Sequence, residues 1–304
     1  MNVEQIISEV LTKCNQHGKT VVVGGYIRNT LLGYGFNDID ILTTCSPQKL
    51  KELFPQLSWT DQGLSLGVTR MMYRGIQFEF SSCIEEEFTM KLTRRDFTVN
   101  AFYYDGKKTV SQLTGDEDIK QRLLRPMPGF QDHMEFSPHT YIRALRFTSL
   151  YNLEWTDELF EELKKSPHFF EAIPNGRIQS EAYEIIKGEY IIKSFYYYQK
   201  LGLIKPNPKL FQMKGQTVPT YNQNISARLT YLSYLIGQET VLNWLSLHSL
   251  SQKLIDEIQE YLPYLENENI KVPPKKLPFV TLLKRYQFND DKEELRNFLI
   301  KQRS

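Results

Sequence analysis

Hydrophobic residues near the start of the chain recur every three or four positions, which is the spacing of a helix with one buried face. Val3, Ile6, Ile7, Val10 and Leu11 follow this pattern. The sequence therefore predicts an opening amphipathic helix that packs one face inward.

Strand patterns follow this helix, and each is bounded by turn residues. Residues 20–23 form a β-branched run that ends at Gly24-Gly25, where a helical pattern begins over residues 26–32. Residues 38–44 alternate polar and apolar side chains, as a half-buried strand does. Further predicted elements are a helix over 47–53 and strands over 68–73 and 76–81.

The pattern becomes helical almost throughout from about Ser137 onward. Prolines interrupt it at Pro206, Pro208, Pro219 and Pro273-Pro274, where helices are expected to break. The chain is thus predicted to be an α+β head followed by helical domains.

Composition narrows the function classes only slightly. The 304 residues are 41% hydrophobic and 24% charged, and the formal net charge is +1, so nucleic-acid contacts would have to come from local patches. Cys14, Cys45 and Cys83 lack the spacing of a zinc site or a disulfide framework. No apolar run is long enough to span a bilayer, so we expect a soluble protein of a reducing cytoplasm.

Asp38 and Asp40 are the first candidates for chemistry. Successive side chains of a strand point to opposite faces, so these two carboxylates share one face. A divalent cation with oxygen ligands would relieve their repulsion and could serve phosphoryl transfer. Such a triplet is also common in solvated loops, but the preceding Gly24-Gly25 at a helix start suits a phosphate and favours the functional interpretation.

Glu79 is a third candidate metal ligand, because residues 77–81 alternate as a strand with Glu79 on the polar face. An ordinary solvent-facing glutamate is nearly as good an interpretation.

Three segments resemble one known family. Residues 23–28, which read Val-Gly-Gly-Tyr-Ile-Arg, precede Leu31-Leu32-Gly33 and Asp38-Ile39-Asp40-Ile41. Residues 94–101 read Arg-Arg-Asp-Phe-Thr-Val-Asn-Ala, and residues 143–147 read Arg-Ala-Leu-Arg-Phe. Together these segments resemble the motifs of class II tRNA nucleotidyltransferases and bacterial poly(A) polymerases.

The resemblance covers roughly residues 18–205 and implies a fold. It implies a polymerase-β-like catalytic head with a mixed sheet over 1–126, and a helical neck that reads the nucleotide over 127–187. A helical body and tail over 188–304 would then bind the RNA acceptor end.

The resemblance also implies roles for single residues. Asp38 and Asp40 would be catalytic and would bind Mg²⁺, with Glu79 as a further ligand. Forked guanidinium donors suit phosphate, and a carboxylate suits a ribose hydroxyl. The residues that would hold the nucleotide are Gly24, Gly25, Arg28, Arg94, Arg95, Asp96, Asn100, Arg143 and Arg146. A structural salt-bridge cluster is the alternative for the arginines.

The sequence departs from the family where a base would be selected. Ser137 and Thr140 stand where the family has the Asp and Arg that imitate a pairing partner. Ser137-Pro138 is predicted to cap the helix, so the helix would start where it does in the family. A hydroxyl cannot replace a guanidinium fork, and the absence of such a fork costs roughly 1–3 kcal/mol of base discrimination. Asn29 and Gln112 also replace family aspartates.

The leading prediction is addition of CMP and AMP from CTP and ATP to an RNA 3′ end, as in tRNA CCA addition or repair. One alternative is a terminal transferase of relaxed or poly(A) type. Another is a degenerate relative that only binds RNA. Residues 270–304 hold nine Lys or Arg against four Asp or Glu, which suits either RNA phosphates or a solvated helix face.

Overall fold

The computed structural model describes residues 2–58, 68–220 and 224–303. The chain forms two compact units. The first contains residues 1–133 and 155–159, and the second contains 134–154 and 160–304. The finer division into three parts, with boundaries after 126 and 187, stays a prediction.

The first unit is built on a sheet, and four of its strands, β1, β2, β4 and β5, match the predicted segments to within one residue, whereas the others were not predicted. The described strands are β1 (Thr20–Val23), β2 (Asp38–Thr43), β3 (Leu57–Ser58), β4 (Val68–Tyr73), β5 (Ile76–Ser82), β6 (Phe102–Tyr104), β7 (Thr109–Ser111) and β8 (Leu123–Leu124). A last short strand, β9 (Glu154–Trp155), lies where the two units adjoin in sequence.

Seven of these strands form one sheet, in the order β3-β4-β5-β2-β1-β6-β7. Strands β2 and β5 pair in parallel, and the other pairs are antiparallel. The sheet is therefore mixed, as predicted. Its central strands β1, β2 and β5 carry Val23, residues 38–41 and Glu79, respectively.

Helices of the first unit cover and connect these strands. They are α1 (Val3–Asn15), α2 (Gly25–Leu32), α3 (Pro47–Leu53), α4 (Glu85–Thr93), α5 (Gly115–Gln121) and α6 (Phe130–Phe136, which ends in the second unit), with a 3₁₀ turn at Thr98–Asn100. Helix α1 buries the apolar face that its periodicity predicts. Its start is fixed by Asn2 and Gln5, whose side chains each bond the other's backbone N–H.

The second unit is helical, as predicted. Its helices are α7 (Thr140–Tyr151), α8 (Asp157–Lys165, which begins in the first unit), α9 (Pro167–Glu171), α10 (Asn175–Lys187), α11 (Ile191–Lys200), α12 (Pro208–Met213), α13 (Ile225–Ile236), α14 (Gln238–Leu247), α15 (Gln252–Tyr261), α16 (Pro263–Glu266), α17 (Leu277–Gln287) and α18 (Lys292–Arg303). Helix α7 packs against α10 and α11 and buries Ile142, Ala144 and Leu145 completely.

Helix α7 starts later than the sequence predicts. The sequence predicts Ser137 as its N-cap, but the carbonyl of Ser137 accepts from Thr140 N at 2.9 Å, and Pro138 O accepts from Tyr141 N at 3.1 Å. These bonds form a turn, and His139 is the residue that precedes the helix. The prediction of a Ser137 cap was wrong because backbone turn bonds already satisfy the first amides.

Arg228 joins several chain segments inside the second unit. Its side chain is buried, and its guanidinium donates to the carbonyls of Ile186 at 2.7 Å and Gly188 at 2.9 Å. It also bonds the carbonyl of Pro219. One planar cation thus satisfies carbonyls at the end of α10 and in the segment before α13.

His248 is fully buried in the second unit, where Nδ1 lies 2.8 Å from Trp244 O and Nε2 lies 2.7 Å from the Tyr198 hydroxyl. A carbonyl only accepts, so Nδ1–H donates and neutral Nε2 accepts. Burial lowers the pKa of His248 from 6.5 to about 4. Stability should therefore fall as the pH drops below 6.5, by roughly 2 kcal/mol at pH 5, because the unfolded state binds the proton first.

Urea unfolding at pH 7.5 and pH 5 measures this loss, and His248→Gln is the matched variant because it keeps donors and acceptors but does not titrate. The wild type should lose roughly 2 kcal/mol more than the variant between the two pH values. Equal losses in both proteins would contradict the prediction.

Among the residues that the structure describes, no helix combines the length and the apolar character that crossing a membrane requires.

Candidate nucleotide-transfer site

The two aspartates of β2 lie on one face of the central sheet, as their spacing predicts. Ile39 and Ile41, on the opposite face, are completely buried. Asp38 and Asp40 are only partly buried. The strand therefore anchors itself through its isoleucines and presents both carboxylates together.

Gly24 lets the backbone pass directly over one of these carboxylates. Val23 of β1 pairs with Asp40 of β2, and a Cβ at Gly24 would lie 2.6 Å from Asp40 Oδ2. The φ of Gly24 is also +75°, which any other residue adopts at a cost. The next residue, Gly25, opens α2, and its backbone N–H donates to Asp40. Two independent requirements therefore specify glycine at position 24.

Asp40 carries an unfavourable negative charge. Burial raises its pKa from 3.8 to about 6, and the negative charges of Asp38 and Glu79 contribute to that rise. The positive charge of Arg95 and the Gly25 N–H act in the opposite direction but do not cancel the rise. A carboxylate pair in this state would be stabilised by a bound cation, so the donors fit a divalent metal with oxygen ligands.

Glu79 lies directly beside Asp40, because these residues are paired across the parallel strands β2 and β5. Its carboxylate is bonded to Arg70 Nε at 2.6 Å. Within the described ranges, no group of three or more Asp, Glu, His or Cys residues is arranged to hold a metal ion. The role of Glu79 as a ligand stays a prediction, and it would require the carboxylate to leave Arg70.

A series of buried side-chain hydrogen bonds joins the segment 23–28 to the segment 94–101. The Arg28 guanidinium donates through Nη1 to Asn100 Oδ1. Asn100 Nδ2 in turn donates to Asp96 Oδ1 at 2.7 Å, and that oxygen also accepts from Phe97 N at 2.9 Å. Arg28, Asn100 and Asp96 are between 4% and 7% exposed. The structure thus brings together residues that are 72 positions apart.

Asn29 extends this chain. Its Oδ1 accepts from Arg28 Nη2 at 2.8 Å and from Nε at 3.1 Å, while its Nδ2 donates to Gly35 O at 2.7 Å. An aspartate could accept from Arg28 but could not donate to Gly35. The amide therefore performs two functions here, and the departure from the family does not leave Arg28 without an acceptor.

Arg94 and Arg95 follow α4 directly. Arg94 ends that helix, its N–H bonding Met90 O at 2.8 Å, and its side chain is exposed. Arg95 is half-buried, and its charge acts on the pKa of Asp40. Of the two, Arg95 is therefore the one that is electrostatically coupled to the carboxylate pair.

Asp118 holds the segment 94–101 through a hydrogen bond to Thr98, a role that the sequence did not predict. Its fully buried carboxylate accepts from the hydroxyls of Thr98 and Thr114, each at 2.7 Å, and from Arg125 Nε at 3.1 Å. It sits in the acidic segment Asp116-Glu117-Asp118, which looks like a solvated helix start. The only sequence signal is the hydrophobic Ile119 beside it, which shows that this part of α5 faces inward.

Gln112 also has a specific partner. Its Nε2 donates to the carbonyl of Leu92 at 3.1 Å, a bond that an aspartate could not make. Nearby Gly115 is tightly enclosed, since a Cβ there would lie 2.7 Å from Ser111 Oγ and 2.9 Å from Thr98 O. Both residues thus stabilise the turn behind the 94–101 motif.

Arg143 and Arg146 belong to the second unit. Each guanidinium lies about 5 Å from the ring centre of Phe147, at 5.1 and 5.0 Å respectively. Arg146 also forms a 2.9 Å ion pair with Glu181, whose side chain is 2% exposed. At least Arg146 therefore has a structural partner, and binding of nucleotide by either arginine stays a prediction.

Ser137 and Thr140, predicted to stand where the family selects a base, differ in accessibility. Thr140 is 1% exposed at the first position of α7, whereas Ser137 is half-buried in the preceding turn. A hydroxyl as buried as that of Thr140 presents little surface to a nucleotide base.

Comparison with known proteins supports this picture. Residues 20–83 match the poly(A) polymerase head domain. A CCA-adding enzyme of Ligilactobacillus salivarius is 27% identical over 198 residues, which cover 59% of this chain and 48% of that protein. A CCA-adding enzyme of Anoxybacillus flavithermus is 25% identical over 299 residues, covering 84% of this chain and 75% of the relative. The first of these matches thus spans about half the length of the relative.

Solved structures show the same fold. The CCA-adding enzyme of Bacillus stearothermophilus in complex with CTP superimposes with a TM-score of 0.77 at 19% identity, covering 99% of this chain and 83% of that one. A Thermotoga maritima CCA-adding enzyme complexed with tRNA gives a TM-score of 0.66 at 18% identity, covering 100% and 84%. The resemblance to this family is confirmed, and so is a polymerase-β-like head followed by helical domains.

Proposed function

We propose that this chain is an RNA nucleotidyltransferase that adds CMP and AMP from CTP and ATP to an RNA 3′ end without a template. Addition or repair of the CCA end of tRNA is the most specific form of this proposal. The observation that carries it is the pair of Asp38 and Asp40 on one face of β2, with Gly24 directly over Asp40, in a chain whose relatives are CCA-adding enzymes.

Asp38 and Asp40 would hold Mg²⁺, and Glu79 would join them once released from Arg70. The raised pKa of Asp40 supports this assignment, because it indicates that the neighbouring positive groups do not neutralise the two carboxylates. When bound, the metal would neutralise phosphate charge and activate the attacking oxygen. In the reaction, the RNA 3′ oxygen bonds the α-phosphorus, the bridge to the β-phosphate breaks, and pyrophosphate and a proton leave.

The nucleotide would be held by the residues of both head motifs. Gly24 and Gly25 provide close backbone approach at a helix start, and Arg28 provides a guanidinium fork held between Asn29 and Asn100. Arg94, Arg95 and Asp96 would complete the contacts to phosphate and ribose. Arg143 and Arg146 would contact the nucleotide from the neck, proposed to cover residues 127–187.

The head would span 1–126, and the body and tail over 188–304 would bind the RNA. A cytoplasmic location fits the free thiols of Cys14, Cys45 and Cys83.

A second candidate is a terminal transferase with relaxed or poly(A)-type nucleotide choice. The specific observation in its favour is the burial of Thr140, which leaves that position without a side chain that could read a base. A third candidate, a non-catalytic RNA-binding relative, is less well supported. Asn29 and Gln112 both make hydrogen bonds that an aspartate could not, so these replacements are built into an ordered site.

Incubation with a tRNA transcript that lacks CCA, Mg²⁺ and each labelled NTP tests the proposal, and the product 3′ ends are then sequenced. Strict C-C-A ends support CCA addition, and mixed or A-rich ends support relaxed choice. No incorporation of any nucleotide, together with intact RNA binding, would leave only the non-catalytic candidate.

Asn29 gives a separate prediction about nucleotide binding. Asn29→Ala should raise the KM for ATP about fivefold, because removing one hydrogen-bonding partner of Arg28 costs about 1 kcal/mol. Asn29→Asp should restore the KM, since a carboxylate still accepts from Arg28. Thr30→Ala is the control, because the Thr30 hydroxyl bonds Tyr26 O within the same helix α2. Equal KM values for the wild type and Asn29→Ala would show that Asn29 does not position Arg28.

A further inference from the structure

A long stretch of the second unit contains no acidic residue. Residues 190–238 include no Asp or Glu, whereas the whole chain balances 37 Lys and Arg against 36 Asp and Glu. The stretch contains six basic residues, namely Lys193, Lys200, Lys205, Lys209, Lys214 and Arg228. It is therefore a local positive region in a nearly neutral protein.

Three of these six cations already have partners. Lys193 pairs with Glu154 at 2.9 Å, and Lys205 pairs with Glu239 at 2.8 Å. Arg228 is buried among backbone carbonyls. These three cannot supply charge to an external ligand without breaking these bonds.

The other three lie on or directly after α11 and α12, two packed helices that carry an exposed aromatic side chain. Lys200 and Lys209 are exposed and Lys214 is half-buried, and within the described ranges none of them forms an ion pair. Phe211, between the last two in sequence, is 67% exposed. These residues with Tyr196 form what we call the Phe211 patch.

The rings and the charge of the patch are in direct contact. The ring centres of Tyr196 and Phe211 are 6.3 Å apart, and Lys214 Nζ lies 5.2 Å from the centre of the Tyr196 ring. Lys200 is four residues after Tyr196 on α11, so it extends from the same helix face. An exposed ring flanked by lysines is the combination that binds bases by stacking and phosphates by charge.

Glu154 is a nearby carboxylate whose pKa responds to the charge of Lys214, but its ion pair is with Lys193. Burial raises the pKa of Glu154, but its bonds to Lys193 and to the Tyr197 hydroxyl, and the charges of Lys193 and Lys214, lower it overall. The Tyr197 bond is 2.7 Å long. Glu154 is therefore engaged with the interior side of α11.

The C-terminal segment offers less free charge than its composition suggests. Lys276 pairs with Glu260 at 2.8 Å, and Arg285 pairs with Asp290 at 2.7 Å. Lys284 is 1% exposed. What distinguishes the Phe211 patch from this segment is its exposed ring in contact with a second ring and a lysine.

We propose that the Phe211 patch binds an unpaired nucleotide of the RNA substrate, with its base stacked on Phe211 and its adjoining phosphates at Lys200, Lys209 and Lys214. This proposal rests on the proposed function, since it assumes that RNA is the substrate. It adds a contact in the second unit that positions the RNA independently of the carboxylate pair.

Fluorescence anisotropy with a labelled tRNA transcript lacking CCA tests the stacking contact. Phe211→Ala should weaken binding about tenfold, and Phe211→Trp should retain it, because stacking needs a ring. Phe136→Ala is the matched control, since Phe136 is 74% exposed but lies beside Asp132 and Glu135 in α6. Circular dichroism and thermal melting verify that each variant is folded.

Salt dependence tests the phosphate contacts. Lys214→Gln should weaken binding and reduce the slope of log Kd against log salt by about 0.7 to 0.9, because the variant neutralises one phosphate fewer. Lys253→Gln is the control, because Lys253 is 81% exposed and lies outside the patch. Its slope should equal that of the wild type.

The outcomes separate the two proposals. If the wild type binds no RNA, the proposed function fails and this inference fails with it. If the wild type binds RNA but Phe211→Ala and Lys214→Gln bind equally well, only the Phe211 patch is ruled out. If polyglutamate displaces the RNA as effectively as unlabelled RNA does, the surface binds anions without preference, and the proposal of a nucleotide contact is overturned.

Discussion

Asp40→Asn is expected to abolish nucleotide transfer, with a fall in rate of roughly 10³-fold or more. The variant keeps the shape of the side chain but removes the charge that would bind a metal beside Asp38. Loss of about 4 kcal/mol of transition-state stabilisation corresponds to that factor. Single-turnover incorporation of labelled CMP and AMP measures the rate.

Two further measurements are needed, namely the RNA affinity of Asp40→Asn and the transfer rate of a control variant outside the site. RNA affinity should be unchanged in Asp40→Asn, whereas Asp116→Asn, an exposed residue at the start of α5, should transfer nucleotides at the wild-type rate. Transfer by Asp40→Asn within tenfold of the wild type would mean that the chemistry lies elsewhere.

The same variant should be more stable than the wild type when metal is removed. The folded-state pKa of Asp40 is raised to about 6, so its ionisation destabilises the fold as the pH rises from 3.8 through 6. At pH 8 the difference amounts to about 3 kcal/mol at most. Urea unfolding in EDTA at pH 8 and pH 4 should show a gain that falls to about 0.5 kcal/mol at the lower pH.

Asp118→Ala is expected to give the largest loss of stability, about 3–5 kcal/mol, because it leaves Arg125 and two threonine hydroxyls without their shared acceptor. The substitution should also reduce transfer, since Thr98 lies within the 94–101 motif. Urea unfolding followed by circular dichroism measures the effect.

Asp116→Ala, two residues earlier on the same helix, is the matched control and should change stability by less than about 0.5 kcal/mol. If Asp118→Ala changed the free energy of unfolding as little as the control, the hydrogen bonds of the buried carboxylate would not stabilise the head.

Much of the head could be predicted from the sequence because its strands follow simple alternation. Ile39 and Ile41 are buried and the intervening Asp40 is not, so the period of two also located the carboxylate pair. The pairing of Asp40 with Glu79 could not be predicted, because strand order is set by contacts between distant segments. The bond between Glu79 and Arg70 depends on the same pairing.

Partners of single polar residues were harder to predict. The local sequence predicted Ser137 as a helix cap, but the first amides of the helix instead bond the backbone carbonyls of the preceding turn. The sequence shows only that Asn29 and Gln112 lack the carboxylate of the family aspartates, and it does not show which bonds the amides make instead. Their amide donors find carbonyls at Gly35 and Leu92, interactions that form only in the folded chain.

Arg228 has a consequence for how the second unit tolerates change. Its guanidinium bonds the backbone carbonyls of Ile186, Gly188 and Pro219, so no single partner substitution could compensate for its removal. Lysine, with a compact ammonium group, cannot reach in several directions as a guanidinium does. In a saturation library selected for folding, position 228 should therefore retain arginine alone, even though it is remote in sequence from every motif of the head.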